Sequence, residues 1–453
     1  MAKQASGTGL FSVTRHRLRI GGIAAMDGHT FFASTSQPTP KIMRLRSFQG
    51  LVPTPALAAQ VAAVPYDVVN REESKALGAE NPINLIHVDR AEIDLPDEVG
   101  AYDDQVYAKA VENFKKLQSD GVLVRETEPC MYLYRQVMGK HAQTGLVAVC
   151  HIEDYENDII RKHEKTRKVK EDDRTRLVDE LSANTGPIFL TYRDHALVLG
   201  LTHGHEEQEA PIHDFTAPDG IRHQVWRLPA ETCAEITRLF KEEVPLAYVA
   251  DGHHRSASAA RVGKERREKN PHHTGNENYN WFLSVLFPAE ELKILPYNRV
   301  VKDFNGRTPE SFLKEVGTIF KVTPTDLKEP KRSGQASMYL GGKWYLLEWN
   351  PADDASPVDS LDVEILQSRL LSPVLGIEDP RTSERVDFIG GIRGVQELEK
   401  LVDAGKFVVA FSMYPTTVDQ LMDIADAGQI MPPKSTWFEP KLRSGLFIHT
   451  LED

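Results

Sequence analysis

Cysteine is scarce in this chain: Cys130, Cys150 and Cys233 are the only three in 453 residues, and no two are closely spaced. An odd number of scattered thiols supports neither a disulfide framework nor a cysteine zinc site, so a reducing compartment is expected. Long apolar runs are missing as well. No stretch reaches the roughly 18 consecutive apolar residues of a membrane span. The start of the chain, interrupted by Arg15, His16, Arg17 and Arg19, lacks the apolar core of a signal peptide. These absences predict a cytoplasmic protein with no membrane partner. Positive charge is not in excess: 54 Lys and Arg stand against 66 Asp and Glu, a formal net charge of -12, so no nucleic-acid partner is expected. Several familiar motifs are absent too. There is no P-loop, no nucleophile elbow and no zinc helix with two histidines and a glutamate, and Gly390-Gly391-Ile392-Arg393-Gly394 lacks the spacing of a dinucleotide fingerprint.

What the chain does have is enough apolar content, 41%, to bury substantial cores. Residues 1–42 show no sustained period and read as a disordered extension, with Met26 and Met43 as later possible starts. Residues 62–69 read as an extended run bent by Pro65. Tyr107, Ala110, Val111, Phe114 and Leu117 recur at helical spacing, with Gly121 placed as a C-terminal cap. Strands over 131–138 and 144–152 flank a turn and are expected to pair antiparallel. Strands over 188–190, 246–250 and 281–287 follow, with helices around Ile236, Leu239 and Phe240 and over 256–269. Gly341-Gly342 marks a hairpin over 338–349. Beyond it, helices are expected over 363–371, 395–403 and 418–427, and strands over 386–389 and 407–414. Hairpins mixed with crossovers predict an α+β fold with mixed sheets rather than a doubly wound parallel sheet.

The strongest chemical signal is Asp251-Gly252-His253-His254-Arg255, set between a strand and a helix. A helix N-terminus offers unpaired N–H groups and a positive dipole end, Gly252 allows close backbone approach, and Arg255 can bond phosphate bidentately. His253 and His254 could donate or shuttle protons, and Asp251 could orient a histidine or hold a divalent cation. A plain helix start, capped by Asp251 and Ser256 with the histidines merely packed, is the alternative. The second constellation lies in residues 161–180, where 14 of 20 residues are charged. Glu164 could serve there as a base, and Lys165, Arg167 or Arg174 could neutralise phosphoryl oxygens. An exposed helix laced with ion pairs accounts for the same run equally well. A third cluster, His272-His273, reads as loop histidines. In the tail, Lys434 and Ser435 could touch a ligand, while Trp437 and Phe438 could anchor the segment.

Five stretches together resemble the bacterial family known as domain of unknown function 1015: VAAVPYDVVN from Val61, KHEKTR from Lys162, NTGP from Asn184, DGHHR from Asp251 and MPPKSTWFEPKLRSGLF from Met431. The resemblance runs from Met43 to His449. More distantly, the DGHHR turn and the upstream His-Glu pair resemble the ParB and sulfiredoxin superfamily and, within it, the free-serine kinases. That likeness implies a ParB/sulfiredoxin-like phosphate-binding domain with insertions over 43–305 and a further C-terminal α/β region over 306–449. It implies Glu164, Asp251 and His254 as catalytic, with Gly252, His253, Arg255, Lys165 and Arg167 binding ATP or ADP, and Mg²⁺ held at Asp251. The implied activity is a phosphotransferase acting on a small hydroxylated metabolite, with free serine the best named acceptor. A nucleotide or phosphoester hydrolase and a non-enzymatic nucleotide sensor are the alternatives. His253 stands where sulfiredoxin has its cysteine, which argues against sulfinate repair.

Overall fold

The computed structural model describes residues 42–452 apart from Pro351 and Asp353. The expected extension over 1–42 therefore lies, but for Ile42, outside the described residues. A nine-stranded mixed sheet is built from β1 (Leu45–Arg46), β2 (Tyr132–Met138), β3 (His141–His151), β4 (Ile160–Arg161), β5 (Ile188–Tyr192), β6 (His213–Thr216), β7 (Arg222–Arg227), β8 (Ala247–Asp251) and β9 (Trp281–Pro288). Its spatial order is β4-β8-β5-β9-β3-β2-β7-β6, with β1 also pairing on β3. The β8–β4 and β9–β5 pairs are parallel and the rest antiparallel, which is the mixed-sheet α+β class expected from the pattern. The edge pair β6–β7 and the helix Ala196–Gln208 lie where the sequence pattern predicts no element.

A second sheet is antiparallel throughout. It comprises β10 (Tyr297–Val301), β11 (Lys321–Pro324), β12 (Gln335–Leu340), β13 (Lys343–Glu348), β14 (Val386–Gly390) and β15 (Val409–Met413), in the order β11-β13-β12-β15-β10-β14. Its β12–β13 hairpin turns on Gly341 and Gly342, whose φ values of 57° and 78° are both left-handed. A two-residue turn of this hand needs positive φ at both positions, which only glycine adopts at little cost.

The expected helices are present. Helix α1 (Asp104–Ser119) buries Tyr107, Ala110, Phe114 and Leu117 of the apolar stripe visible in the sequence and adds Val106, while Val111 is only half-buried, and Gly121 follows it at φ 70°. The charged run forms α2 (Lys168–Leu181), and α3 (Ala230–Glu243) covers the far face of the large sheet. Helix α4 (His253–Lys269) begins three residues before the expected 256, because Gly252, at φ 92°, turns the chain straight from β8 into the helix.

The extended run over 62–69 is mostly a turn. Only Ala63 bridges to Ser444, since Pro65 has no N–H to donate and Tyr66–Val69 curls. The tail comes back through the core. Phe438, Leu446, Phe447 and Ile448 are fully buried, and His449–Thr450 pairs with Ala183–Asn184. Among the described residues, no helix is long and apolar enough to cross a membrane.

Helix α4 is seated by Gly263, where a Cβ would stand 2.4 Å from the Tyr279 carbonyl oxygen and 2.6 Å from Ile152 Cδ1. The Gly263→Ala variant is expected to lose about 1–3 kcal/mol through overpacking. Chemical denaturation checks this; an unchanged midpoint would show that the helix can slide without cost.

Candidate functional site

Parallel pairing brings the two sequence constellations together. Because β4 runs alongside β8 in register, Ile160 against Ala247 and Arg161 against Tyr248, both strands leave the sheet at the same end. The chain after Arg161 therefore delivers Glu164 beside the turn that follows Asp251. Strand β5 is antiparallel to β8, with Phe189 opposite Asp251, so Gly186 and Pro187 arrive at that end too. Tyr297, at the start of β10, and the tail residues Lys434, Trp437 and Lys441 close the other side. The result is a cavity of about 300 Å³, lined by Asp67, Glu164, Asp251, Gly252, His253 and His254, among others. All five sequence stretches that carry the family resemblance contribute to its wall.

Helix α4 opens on this cavity without a side-chain cap: Gly252 is its N-cap and makes no capping hydrogen bond. Asp251 and Ser256 do not serve as caps. Asp251 Oδ1 accepts from the Gly252 N–H at 2.8 Å, and Ser256 Oγ donates to the His253 carbonyl at 3.0 Å. The first N–H groups of the helix, which have no intrahelical acceptor, are left for a ligand.

Asp251 Oδ2 also meets the Lys441 ammonium at 2.7 Å. Burial opposes its charged form, but Lys441 and the Gly252 N–H outweigh that and hold the carboxyl below its usual value. Burial likewise opposes the charge on Lys441, and Asp251 overcomes it, holding the ammonium above the ordinary lysine range. Lys434 sits at φ 58°, its carbonyl fixed by the buried Arg299 guanidinium at 3.2 Å, and its ammonium lies 5.4 Å from the Tyr297 ring. Glu164 is 49% exposed, but that surface faces the cavity and protein crowds it. Burial raises its carboxyl above the ordinary glutamate value, against the pull of nearby Lys434.

The histidines differ. His254 accepts from the Arg167 backbone N–H through Nε2 at 3.0 Å, which places its own proton on Nδ1. His253 is buried, its ring 4.5 Å from that of the buried His163. Burial pushes His253 down to about 4 and His163 well below the usual histidine value, so both are neutral near pH 7.

Other sequence candidates sit differently. Arg255 lines the cavity, but its guanidinium donates to the Pro187 carbonyl at 3.4 Å and Ser444 Oγ at 3.2 Å, with Asp89 at 3.9 Å. Gly186 makes room for it: a Cβ there would lie 2.2 Å from Arg255 Nη1. Lys165 is exposed and, like the Arg167 side chain, is not part of the cavity wall. The rest of the charged run divides: Lys168–Asp172 and Arg176–Glu180 are helix-surface ion pairs, whereas Asp173 and Arg174 are buried, Asp173 accepting from Tyr107 Oη. His273 pairs with Glu277 and Tyr279 in its own loop. Trp437 and Phe438 both anchor the tail and line the cavity. Sequence reasoning assigned no role to Asp67, His163, Tyr297 or Lys441. Asp67, His163 and Lys441 lie in three of the stretches that carry the family resemblance, which were the available signal, whereas Tyr297 lies outside all five.

A family model described as "Protein of unknown function (DUF1015)" matches residues 45–364, so the tail stretch from Met431 lies beyond the matched segment. Among curated proteins none matches the chain by sequence. Solved structures similar to part of the chain include a free serine kinase in complex with AMP, at 11% identity and TM-score 0.34, covering 67% of this chain and 92% of that one. A conserved hypothetical protein from Pyrococcus furiosus is similar at 11% identity and TM-score 0.33, covering 68% and 96%. A C-terminally truncated SbnI from Staphylococcus aureus is similar at 10% identity and TM-score 0.34, covering 66% and 87%.

The Asp251–Lys441 pair ties the phosphate-type turn to the tail, so Lys441→Met is expected to destabilise the protein at pH 7. The loss should be about 1–2 kcal/mol, below the roughly 3–5 kcal/mol of a fully buried pair, because Asp251 is 38% exposed. The folded-state pKa of Asp251 is depressed, so its share of the stability is present above the unfolded value and is lost as pH falls through the folded one. The difference between wild type and variant should therefore hold through neutral pH and narrow below about pH 4. Denaturation midpoints measured across that range provide the check.

Proposed function

This chain belongs to the family described as protein of unknown function (DUF1015), a description that names no reaction, and we propose that it is a nucleotide-dependent phosphotransferase acting on a small hydroxylated metabolite. One observation carries the reading: the uncapped start of α4 opens on a cavity that also holds two lysines and a glutamate of raised pKa. The α4 N–H groups and the Lys434 ammonium supply donors and positive charge for the phosphates of ATP or ADP. Lys441, fixed by Asp251, adds a second cation at the same wall. With Arg255 engaged by Pro187 and Ser444, its part is to brace the turn while its stem lines the cavity.

Catalysis in this reading is positioning plus charge stabilisation, as in phosphoryl transfer generally. Glu164 accepts the proton of the acceptor hydroxyl. Its raised pKa makes it a better proton acceptor than an ordinary carboxylate. His254, neutral and held in one tautomer by the Arg167 N–H, presents Nδ1–H as a donor. A Mg²⁺ ion carried on the nucleotide would meet Asp251 and Asp67, both in the wall, and when bound it neutralises phosphate charge. The likeness of the turn and of the His-Glu context to free-serine kinases makes free serine the first acceptor to try.

Incubating the protein with radiolabelled ATP or ADP, Mg²⁺, serine and then pooled metabolites is expected to give a labelled metabolite. Free phosphate alone would indicate a hydrolase, and binding without turnover a sensor. In the productive assay, Glu164→Gln should lower turnover by about 10²–10⁴-fold while nucleotide affinity and melting temperature stay near wild type. A variant that retains its turnover would remove Glu164 from the base role.

A further inference from the structure

Behind the phosphate-type turn lie two buried histidines that the phosphotransfer reading does not use, beside Glu164, which it does. The nitrogen donors of His163 and His253 and a carboxylate oxygen of Glu164 all lie within 4.8 Å of one another. His163 is 1% exposed and His253 6%. His253 Nε2 has no hydrogen-bond partner, and neither ring nitrogen of His163 makes a well-formed one, the backbone of Val249 being the polar group that acts on that ring. The two rings meet edge to face at 88°, an arrangement that makes no hydrogen bond between them. Glu164 Oε2 stands 4.0 Å from His253 Nδ1, too far for one.

Leaving a buried imidazole nitrogen unpaired forfeits its hydration with nothing in return. Two such rings side by side, next to a carboxylate, need a common partner that accepts lone pairs. The neutral imidazole is the form that ligates a metal.

We propose that His163, His253 and Glu164 form a binding site for one divalent transition-metal ion, of the zinc, manganese, iron or cobalt class, with its remaining coordination positions open to the cavity. Two imidazoles and one carboxylate suit these borderline ions, whereas Mg²⁺ prefers an all-oxygen shell. In a tetrahedral zinc site, ligands at about 2.0–2.1 Å from the metal stand about 3.3 Å apart. The present spacing must therefore contract by roughly 1–1.5 Å at its widest, a change within reach of side-chain rotation. Glu164, the least buried of the three, provides most of that movement.

The site rests on the geometry of these three residues and not on phosphotransfer, and it is read by binding, without turnover. A failure here leaves the phosphotransfer reading standing, and the reverse also holds. Since both readings use the Glu164 carboxylate, the ion-bound state and the state with a free base at Glu164 are alternatives.

Metal-stripped full-length protein should be titrated with Zn²⁺ by calorimetry and with Co²⁺ by visible absorption. The expected result is one tightly held equivalent, with the d–d bands of a low-coordinate cobalt site. Glu164→Gln, a cavity-facing change that spares the fold, should weaken that equivalent at least tenfold, and His253→Ala and His163→Phe should abolish it. Circular dichroism and melting temperature identify which variants are folded, and Glu164→Gln keeps the test decisive if a histidine variant is not. The proposal is overturned if wild type takes up no ion, or if the uptake is the same in Glu164→Gln and in the folded histidine variants, which would put the ion on histidines elsewhere in the chain.

Discussion

At the end of β8, the carboxylate of Asp251 is held from two directions, by the N–H of its neighbour Gly252 and by the ammonium of Lys441. The first contact sets the turn that releases the N-terminus of α4 toward the cavity. The second fastens a tail that has crossed the core to reach it, with Phe438, Leu446, Phe447 and Ile448 packed out of solvent. Separating the two charges would leave each partly desolvated and unpaired, a far worse state than either alone in water. The cavity exists because these two distant segments are locked at one point.

Around that lock the cavity is chemically divided. One wall carries donors and cations: the uncapped helix start, Lys434 and Lys441. The other carries carboxylates and neutral imidazoles: Asp67, Glu164 and, behind them, His163 beside His253. Burial opposes the charge on both acids, and the contacts decide the outcome. Asp251, with a cation in contact, stays ionised below the ordinary range, whereas Glu164, whose nearest cation acts only through space, is raised. Two carboxylates of similar intrinsic acidity are thus shifted in opposite directions by what stands next to them.

The frame beneath the cavity is stiff for reasons visible residue by residue. Arg299, buried and spending its donors on the carbonyls of Tyr297 and Lys434, holds the left-handed Lys434 in place. Gly186 leaves the space that the Arg255 guanidinium occupies, and Gly263 lets α4 approach the Tyr279 loop. Tyr134, His223 and Arg443 form a buried chain of hydrogen bonds just behind Lys441 and Leu442. Each of these contacts fixes backbone next to the cavity and leaves the lining side chains free to meet a ligand.

Local chemistry was legible in the sequence. The Gly341-Gly342 hairpin, the apolar stripe of α1 with Gly121 beyond it, and the strand–turn–helix at Asp251 all follow from preferences that act over a few residues, and the structure has them with small shifts of boundary. The mixed-sheet class was legible for the same reason, because hairpin spacing and crossover spacing differ. What sequence could not supply was adjacency. Glu164 meets the Asp251 turn only because β4 pairs parallel with β8, and His163 meets His253 by the same register. Lys441 matters only because the tail folds back, and Arg255 turned from a ligand-facing fork into a brace because Pro187 and Ser444 were brought within its reach. Which residues can do chemistry was written in their types. Which of them stand within a few ångströms of each other was decided by strand register and by the burial of the tail, long-range consequences of packing that no short window of sequence contains.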